Sequence, residues 1–416
     1  MIKLFVVHSL LESEEQAKER YAAIVNSIAD TFDEITFAGY INTHEKIDKQ
    51  FYLDGDGIII LVASGGSEEF IAKIIRQANL PALICANSEF NSLAASLETY
   101  SFLKNKYMLT LFYWSNPGEL LERIKNFSRV CGAVQKINQA KIGLIGEPSD
   151  WLLTSKGIES FGKFKTILAK FGTEKLIKEI TRTMSGYHES SVESNLHFGK
   201  IKVDKSALDD SLIVHAAVRN FAAKHNLDGL TIRCFDLLKN NYTACIAIAL
   251  CNDEGIISGC EGDLHAMFSM MLGFYLTGEP CWMANPASVD KENNSVTFAH
   301  CTAPIKFLDQ SHKMDITTHM ESGLSCAIEG SIKKEPVTIF RTGENFNKLI
   351  AVKGNVIETG LHNPAFCRTQ AVIKLSCGVD IWMNNTFGNH QVIVYGDISN
   401  LLSEFCGYTG VEFFGL

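Results

Sequence analysis

At 416 residues the chain is longer than one ordinary hydrophobic core, so two or three domains are expected. Its composition, 46% hydrophobic and 20% charged, is that of a globular protein. A net charge of −9, from 38 basic and 47 acidic residues, argues against a nucleic-acid partner, which would call for a basic face. No run reaches the roughly 18 consecutive apolar residues of a membrane span. The opening apolar run, Met1–Val7, is too short for a secretion signal. The 12 cysteines form no C-x-x-C pair. They sit in apolar segments such as Leu83–Ala86 and Thr243–Ile246, and buried free thiols in a reducing cytoplasm explain them better than disulfides or a zinc–thiolate site.

In chain order, Ile2–Val7 reads as a strand and Glu14–Ile28 as an amphipathic helix. Glu34–Ile41 is a second strand. Gly57–Ala63 is a third, apolar on both faces as a buried parallel strand would be. Helix Glu68–Gln77, strand Ala82–Ala86, helix Phe90–Leu103, strand Met108–Tyr113 and helix Gly118–Val134 complete a β-α-β-α series. That order predicts an open parallel sheet covered by helices. Strand Lys141–Ile145 leads into Gly146–Trp151, where the chain changes character. A second α/β section follows, with helix Ser206–Lys224, strand Leu230–Cys234, and helices Thr243–Leu250 and Asp263–Leu276. From about Ser295 short β-rich runs dominate: Val296–Phe298, Val337–Phe340, Leu349–Val352, Val372–Leu375, Ile381–Met383 and Val392–Tyr395. Gly and Asn turns separate them. The fold class expected is α/β, with two open parallel-sheet domains followed by a β-rich, mainly antiparallel C-terminal domain. The boundaries expected are 1–148, 149–294 and 295–416.

Three remote residues stand out. Glu261 lies in Gly259-Cys260-Glu261-Gly262-Asp263, ahead of an apolar helix. His300 and His390 each end a strand-like run, beside small or polar turn residues. One carboxylate and two imidazoles suit a divalent ion of the Mn²⁺, Fe²⁺ or Zn²⁺ type. The bland alternative for Glu261 and Asp263 is capping of the following helix. Asp263 fits that alternative well and Glu261 poorly. A lone histidine is most often a hydrogen-bonded surface or core residue. His265, one turn into the helix, could be a further ligand but is expected to be packed or solvent-facing. The Ser64-Gly65-Gly66-Ser67-Glu68 turn could offer backbone N–H groups to an anion, or could simply cap a helix at Ser67. It is not a dinucleotide fingerprint.

Several of these segments, in order, resemble the L-fucose isomerase/L-arabinose isomerase superfamily, and most closely its shorter fucose-isomerase-like proteins. They are Asp56–Ile58 with the Ser64–Glu68 turn, Asn91–Ala94, Gly143–Trp151, Cys260–Asp263, Leu276–Pro280, Ala299–Pro304, Cys367–Gln370 and Gly388–His390. The resemblance spans nearly the whole chain. It implies a Mn²⁺-dependent aldose–ketose isomerase that moves a proton between C1 and C2 of a sugar through an ene-diol.

Carried over, the resemblance makes Glu261 the catalytic carboxylate and a metal ligand, with His300 and His390 as further ligands. The family's second acidic ligand falls on Asn285, in Met283-Ala284-Asn285-Pro286. An amide can still coordinate a cation, but it cannot shuttle a proton. Asp263 or a water on the metal would then supply the second acid/base. His319, Glu321, Arg341, Arg368 and Asn389 are candidate substrate contacts, as are Ser64 and Asn91 from the first domain. The cations could equally form interdomain salt bridges. Trp151 and Trp382 could pack on a sugar or in the core. The resemblance also implies a homo-oligomer, trimer or hexamer, with no membrane or nucleic-acid partner. A pentose, a 6-deoxyhexose and an anionic hexose derivative all remain open as substrate. A non-catalytic sugar-binding relative, or an epimerase or lyase on the same site, is the alternative.

Overall fold

A computed structural model describes residues 1–50, 55–185 and 198–416. The first unit, Met1–Gln135 with Gly407–Thr409, is built on a parallel sheet. Its elements are β1 (Ile2–Val7), α1 (Glu14–Thr31), β2 (Ile35–Ile41), α2 (His44–Gln50), β3 (Gly57–Val62), α3 (Glu68–Ala78), β4 (Ala82–Ala86), α4 (Ser92–Leu103), β5 (Leu109–Tyr113) and the start of α5 (Pro117–Gln139). The strand order is β2-β1-β3-β4-β5. Every residue of β3 is buried, as its unbroken apolar run requires between two helical layers. A capping box opens α1: Ser13 accepts from the Gln16 backbone and Gln16 reaches back to Ser13. That helix buries Ala17, Tyr21, Ile24, Val25 and Ile28, one stripe of a helical repeat.

The second unit comprises Lys136–Cys406 and Gly410–Leu416. It continues with β6 (Lys141–Ile145), β7 (Ile167–Phe171), α6 (Thr173–Met184), β8 (Phe198–Ile201), α7 (Lys205–His225), β9 (Gly229–Ile232), α8 (Cys245–Asp253), β10 (Ile257–Cys260) and α9 (Leu264–Thr277). Strands β10-β9-β6-β7 form a parallel sheet in that order. The β-rich part holds β11 (Trp282–Asp290), β12 (Ser295–His300), β13 (Met314–Thr317), β14 (Ala327–Glu329), β15 (Pro336–Gly343), β16 (Lys348–Thr359), β17 (Thr369–Leu375), α10 (Val379–Asn385), β18 (Gln391–Tyr395), α11 (Ser399–Thr409) and β19 (Glu412–Gly415). Its strands run β15-β18-β11-β12-β17-β16, and β15 pairs again with β16, so the antiparallel sheet closes into a barrel. Strand β19 adds to β16 in parallel.

The fold is therefore two parallel-sheet α/β regions followed by an antiparallel barrel, as the sequence pattern implied. Two details differ from the sequence boundaries. Strand β6 already belongs to the second sheet, and β11 already belongs to the barrel. One element differs in kind. Ile381–Met383, read as a strand, lies inside α10, whose buried residues are Val379 and Trp382 while Ile381 and Met383 face solvent. An apolar pair three residues apart seats one helical face, and a three-residue run cannot reveal that period.

Helix α9 joins the parallel sheet to the barrel. It contacts β9 and β10 on one side and β11, β15 and β18 on the other. Residues Leu264 to Gly273 are all buried, so the helix is apolar all round and not amphipathic. This packing carries the residues at its N-terminus to the end of the barrel.

Candidate active site

Glu261 sits where β10 ends and α9 begins, outside the carboxyl end of a parallel strand. Its backbone is left-handed, with φ 63°, and Gly262 follows at φ 74°. A Cβ at position 262 would lie 2.8 Å from the Pro148 Cα, so glycine is required by space as well as by dihedral. The Glu261 carbonyl accepts from the Ser149 N–H, which ties the turn to the Gly146–Trp151 segment. Such a turn costs of order 1–3 kcal/mol for a non-glycine residue and persists because its surroundings hold it.

His300 ends β12, whereas His390 does not end a strand but immediately precedes β18; these are the two strands on either side of β11. β11 lies between β18 and β12, with Ala284 facing Gln391 and Asn285 facing Ala299. His390 and His300, one residue further along each, therefore flank the Ala284–Asn285 step. Their rings stand 5.5 Å apart, edge to face. Glu261, His300 and His390 are all buried, and each offers a ligand atom within 4.8 Å of the other two.

Each side chain is held from behind. His390 Nδ1 donates to Asp263 Oδ2 at 2.9 Å. His300 Nδ1 is hydrogen-bonded to Thr302 Oγ1 at 2.8 Å. Trp151 Nε1 donates to Glu261 Oε2 at 2.6 Å. The outward nitrogen, Nε2, of each histidine is thus left for the shared space. His390 Nε2 is buried with no hydrogen-bond partner, and Glu261 Oε1 lies 3.6 Å away. A carboxylate, two imidazoles so oriented and an unpartnered buried nitrogen fit a divalent cation. A metal-binding histidine typically donates its other N–H to a carboxylate, as His390 does here.

The three side chains rest in different ionisation states. Burial works against ionisation of Glu261, but the hydrogen bond and charge of His390, then His300 and Trp151, hold its carboxyl below the usual range. His390 is opposed by burial, yet Asp263 and Glu261 raise it to about 9. Burial, and next the His390 charge, push His300 down to about 4. The site therefore favours an ionised Glu261, a neutral His300 and a protonated His390, which must release the proton on Nε2 to take a cation.

Asp263 has another place than the sequence suggested for a proton-transfer group. It is wholly buried and caps α9, accepting from the Ala266 N–H at 3.0 Å. Ser155 Oγ donates to it at 3.0 Å, and Arg341 reaches both its oxygens at 3.0 and 3.2 Å. With His390 added, its oxygens are fully used. Burial raises its pKa, but Arg341 and His390 prevail and keep it well below the usual range. Arg341 is equally buried and also donates to the His390 carbonyl at 2.6 Å. A Cβ at Gly388 would meet the Arg341 guanidinium at 2.8 Å, so the chain passes close over it. Arg341 thus faces Asp263 and the backbone of His390, and a sugar has no access to it.

The remaining candidates are dispersed. Asn285 accepts from the exposed Asn389 at 3.3 Å, beside the histidines. Arg368 donates to the Thr318 carbonyl at 2.8 Å and to the Thr318 hydroxyl at 3.2 Å. His319 is buried against Glu321, with 2.9 Å between Nε2 and Oε2. Ser64 and Asn91 belong to the first unit, where they line a groove of about 450 Å³ with Arg20 and Phe90. Ser64 Oγ accepts from the Ser9 N–H at 3.0 Å, an internal link. Ser67 makes no side-chain cap on α3; its hydroxyl donates to the Ser64 carbonyl. His265 is packed, 4.4 Å from the Phe346 ring. Trp382 is core, whereas Trp151 is 53% exposed beside Glu261. Thr302 went unread in the sequence, although its place two residues beyond His300 was a signal.

Comparison with known proteins adds the chemistry. The chain is similar to sulfoquinovose isomerases. The protein from Priestia megaterium is 25% identical over 362 residues, covering 81% of this chain and 80% of the relative. That from Alkalicoccus urumqiensis is 24% identical over 381 residues, covering 84% and 83%. A third, from Clostridium sp., is 25% identical over 200 residues, 45% of this chain and 44% of the relative. No family model matches the chain. Similarity over most of both chains supports an isomerase enzyme of sugar metabolism. Among the described residues no helix is long and apolar enough to cross a membrane.

Proposed function

We propose that the chain is a metal-dependent aldose–ketose isomerase of the fucose/arabinose isomerase kind, and that its substrate is an anionic hexose derivative. The observation that carries this reading is the meeting of Glu261, His300 and His390, remote in sequence, within 4.8 Å. Similarity to proteins named for a sulfonated sugar favours an anionic hexose over a pentose or a 6-deoxyhexose.

In this reading Glu261, His300 and His390 hold Mn²⁺ or a similar divalent ion. When bound, that ion polarises the carbonyl and the neighbouring hydroxyl of the sugar. Glu261, ionised at neutral pH and aligned by Trp151, takes the proton from one carbon and returns it to the next by way of an ene-diol, while the sugar's own hydroxyl proton passes from O2 to O1. Asp263 is a positioning residue: it holds the His390 ring, and Arg341 holds Asp263. Asn285, tied to Asn389, orients the sugar at the rim. Glu321, about half exposed, and Arg368 are the polar groups left to meet sugar hydroxyls or the anionic substituent. The protein works as a soluble cytoplasmic homo-oligomer.

The test is proton exchange. With metal-stripped protein titrated with Mn²⁺ in deuterated water and a panel of anionic and neutral aldohexoses, NMR should show the ketose labelled with deuterium at C1 and the recovered aldose labelled at C2. Sugar binding without metal uptake and without C2 exchange would favour the non-catalytic reading, which the amide at Asn285 motivates. An aldose or a cleaved product would indicate an epimerase or a lyase.

A further inference from the structure

Cys301 follows His300 directly, yet its thiol belongs to a different cluster. The Sγ atoms of Cys245 and Cys301 lie 3.1 Å apart and are not bonded as a disulfide. His319 completes the group: all three residues are buried, and each offers a ligand atom within 4.8 Å of the other two. We propose that Cys245, Cys301 and His319 form a second cation site, one that takes a thiophilic divalent ion of the zinc class.

Four features carry the assignment. The donors are soft, two thiols and an imidazole, whereas the Glu261 set is mixed oxygen and nitrogen, so the two sites select different ions. The spacing suits the ion. Tetrahedral zinc with Zn–S bonds of about 2.3 Å sets its sulfurs about 3.8 Å apart, so the thiols need part by less than about an ångström. His319 is braced as metal-bound histidines are, with Ser322 Oγ at 2.9 Å from Nδ1 and Glu321 Oε2 at 2.9 Å from Nε2. One of these contacts gives way to the ion and the other fixes the ring. Finally, Cys367 packs in the same buried cluster, so a further thiol is at hand to close the coordination.

The charge balance suits burial. Loading releases one proton from each coordinating thiol; with Cys245, Cys301 and a neutral His319 as the ligands the site carries no net charge, and Cys367 as a fourth ligand adds one negative charge. The Cys234–Cys260 pair supplies an internal control. Its sulfurs are 3.2 Å apart, but among the described residues it gathers no third His, Cys, Asp or Glu ligand within the same reach. The bound ion would fasten the loop carrying His319 to the end of β12, and so to the strand that carries His300. The inference stands whether or not the isomerase reading does.

The experiment uses reduced, chelator-treated full-length protein titrated with Co²⁺ and Cd²⁺. One equivalent per chain should bind with a thiolate-to-metal charge-transfer band. The band should persist in Glu261→Gln and in Cys234→Ser, and its affinity should fall at least about tenfold in Cys245→Ser. X-ray absorption on wild-type protein loaded with one equivalent of zinc, which depends on no variant folding, should show sulfur neighbours at about 2.3 Å. A first shell without sulfur, or a band that disappears in Cys234→Ser and survives in Cys245→Ser, overturns the proposal.

Discussion

Two clusters lie one residue apart on the same strand end, and they are built differently. Around Glu261, His300 and His390 each donor has a polar residue behind it: Trp151, Thr302 and Asp263, with Arg341 behind Asp263. Around Cys245 and Cys301 the neighbours are largely small and apolar, among them Ala299 and Ala327, while His319 is hydrogen-bonded to Ser322. The difference teaches what each cluster needs. Charged oxygen and nitrogen donors cannot be buried without partners, so the fold must supply a hydrogen-bonded shell. Thiols bury as small hydrophobes and need none until a metal ionises them.

The largest effect should come from the first cluster's own donor. Glu261→Gln keeps the shape and the Trp151 contact but removes the charge, so turnover should fall roughly 10²- to 10⁴-fold with circular dichroism unchanged. Near-wild-type turnover would end the claim that this cluster is the reacting one.

The shell can be broken next. Arg341→Met leaves Asp263 buried without its cation, and unfolding in urea should show a loss of about 3–5 kcal/mol. The paired variant Asp263→Asn/Arg341→Met should recover part of it. If Arg341→Met is as stable as wild type, the shell is not what permits charge in this cluster.

Acid should act on the histidine beneath that shell. Burial, and then the Arg341 charge, lower His265 to about 4 from an ordinary 6.5. Between those two values the unfolded chain takes up a proton that the folded chain refuses. Stability is therefore full above about 6.5 and falls as the pH drops toward 4, by up to on the order of 3 kcal/mol. The His265→Gln variant should flatten that part of the stability–pH curve. An unchanged curve would rule out His265 as its source.

The smallest effect should be Thr302→Val, which removes the partner of His300 Nδ1. Mn²⁺ affinity, read by calorimetry, should weaken roughly 10- to 100-fold. No change would mean that packing alone orients this histidine and that the contrast with the thiol cluster is overdrawn.

Much of the fold was legible because its signals are local. The apolar run Gly57–Val62 could be only a strand buried on both faces, and it is. Strand β11 was not read, because Asn285-Pro286 looks like a turn; the barrel accommodates that proline where the register with β12 shifts, between Pro286 and Ser288. In the candidate site, the oddness of Glu261 ahead of a glycine was visible, and its left-handed backbone gives that oddness a cause. The duties of Asp263 and Arg341 were not visible. A carboxylate at a helix start and an arginine in a strand have the same letters whether they touch a sugar or each other.

By itself the sequence determined the order of strands and helices, the buried cysteines and the three residues worth watching, because periodicity and turn chemistry act over a few residues. Only the tertiary structure decided that β18 begins beside the end of β12, that α9 brings Glu261 to that edge, and that Asp263 spends its oxygens on Arg341, His390, Ser155 and the helix. Contacts between residues so distant in the chain are set by strand register and close packing, and no local pattern encodes them.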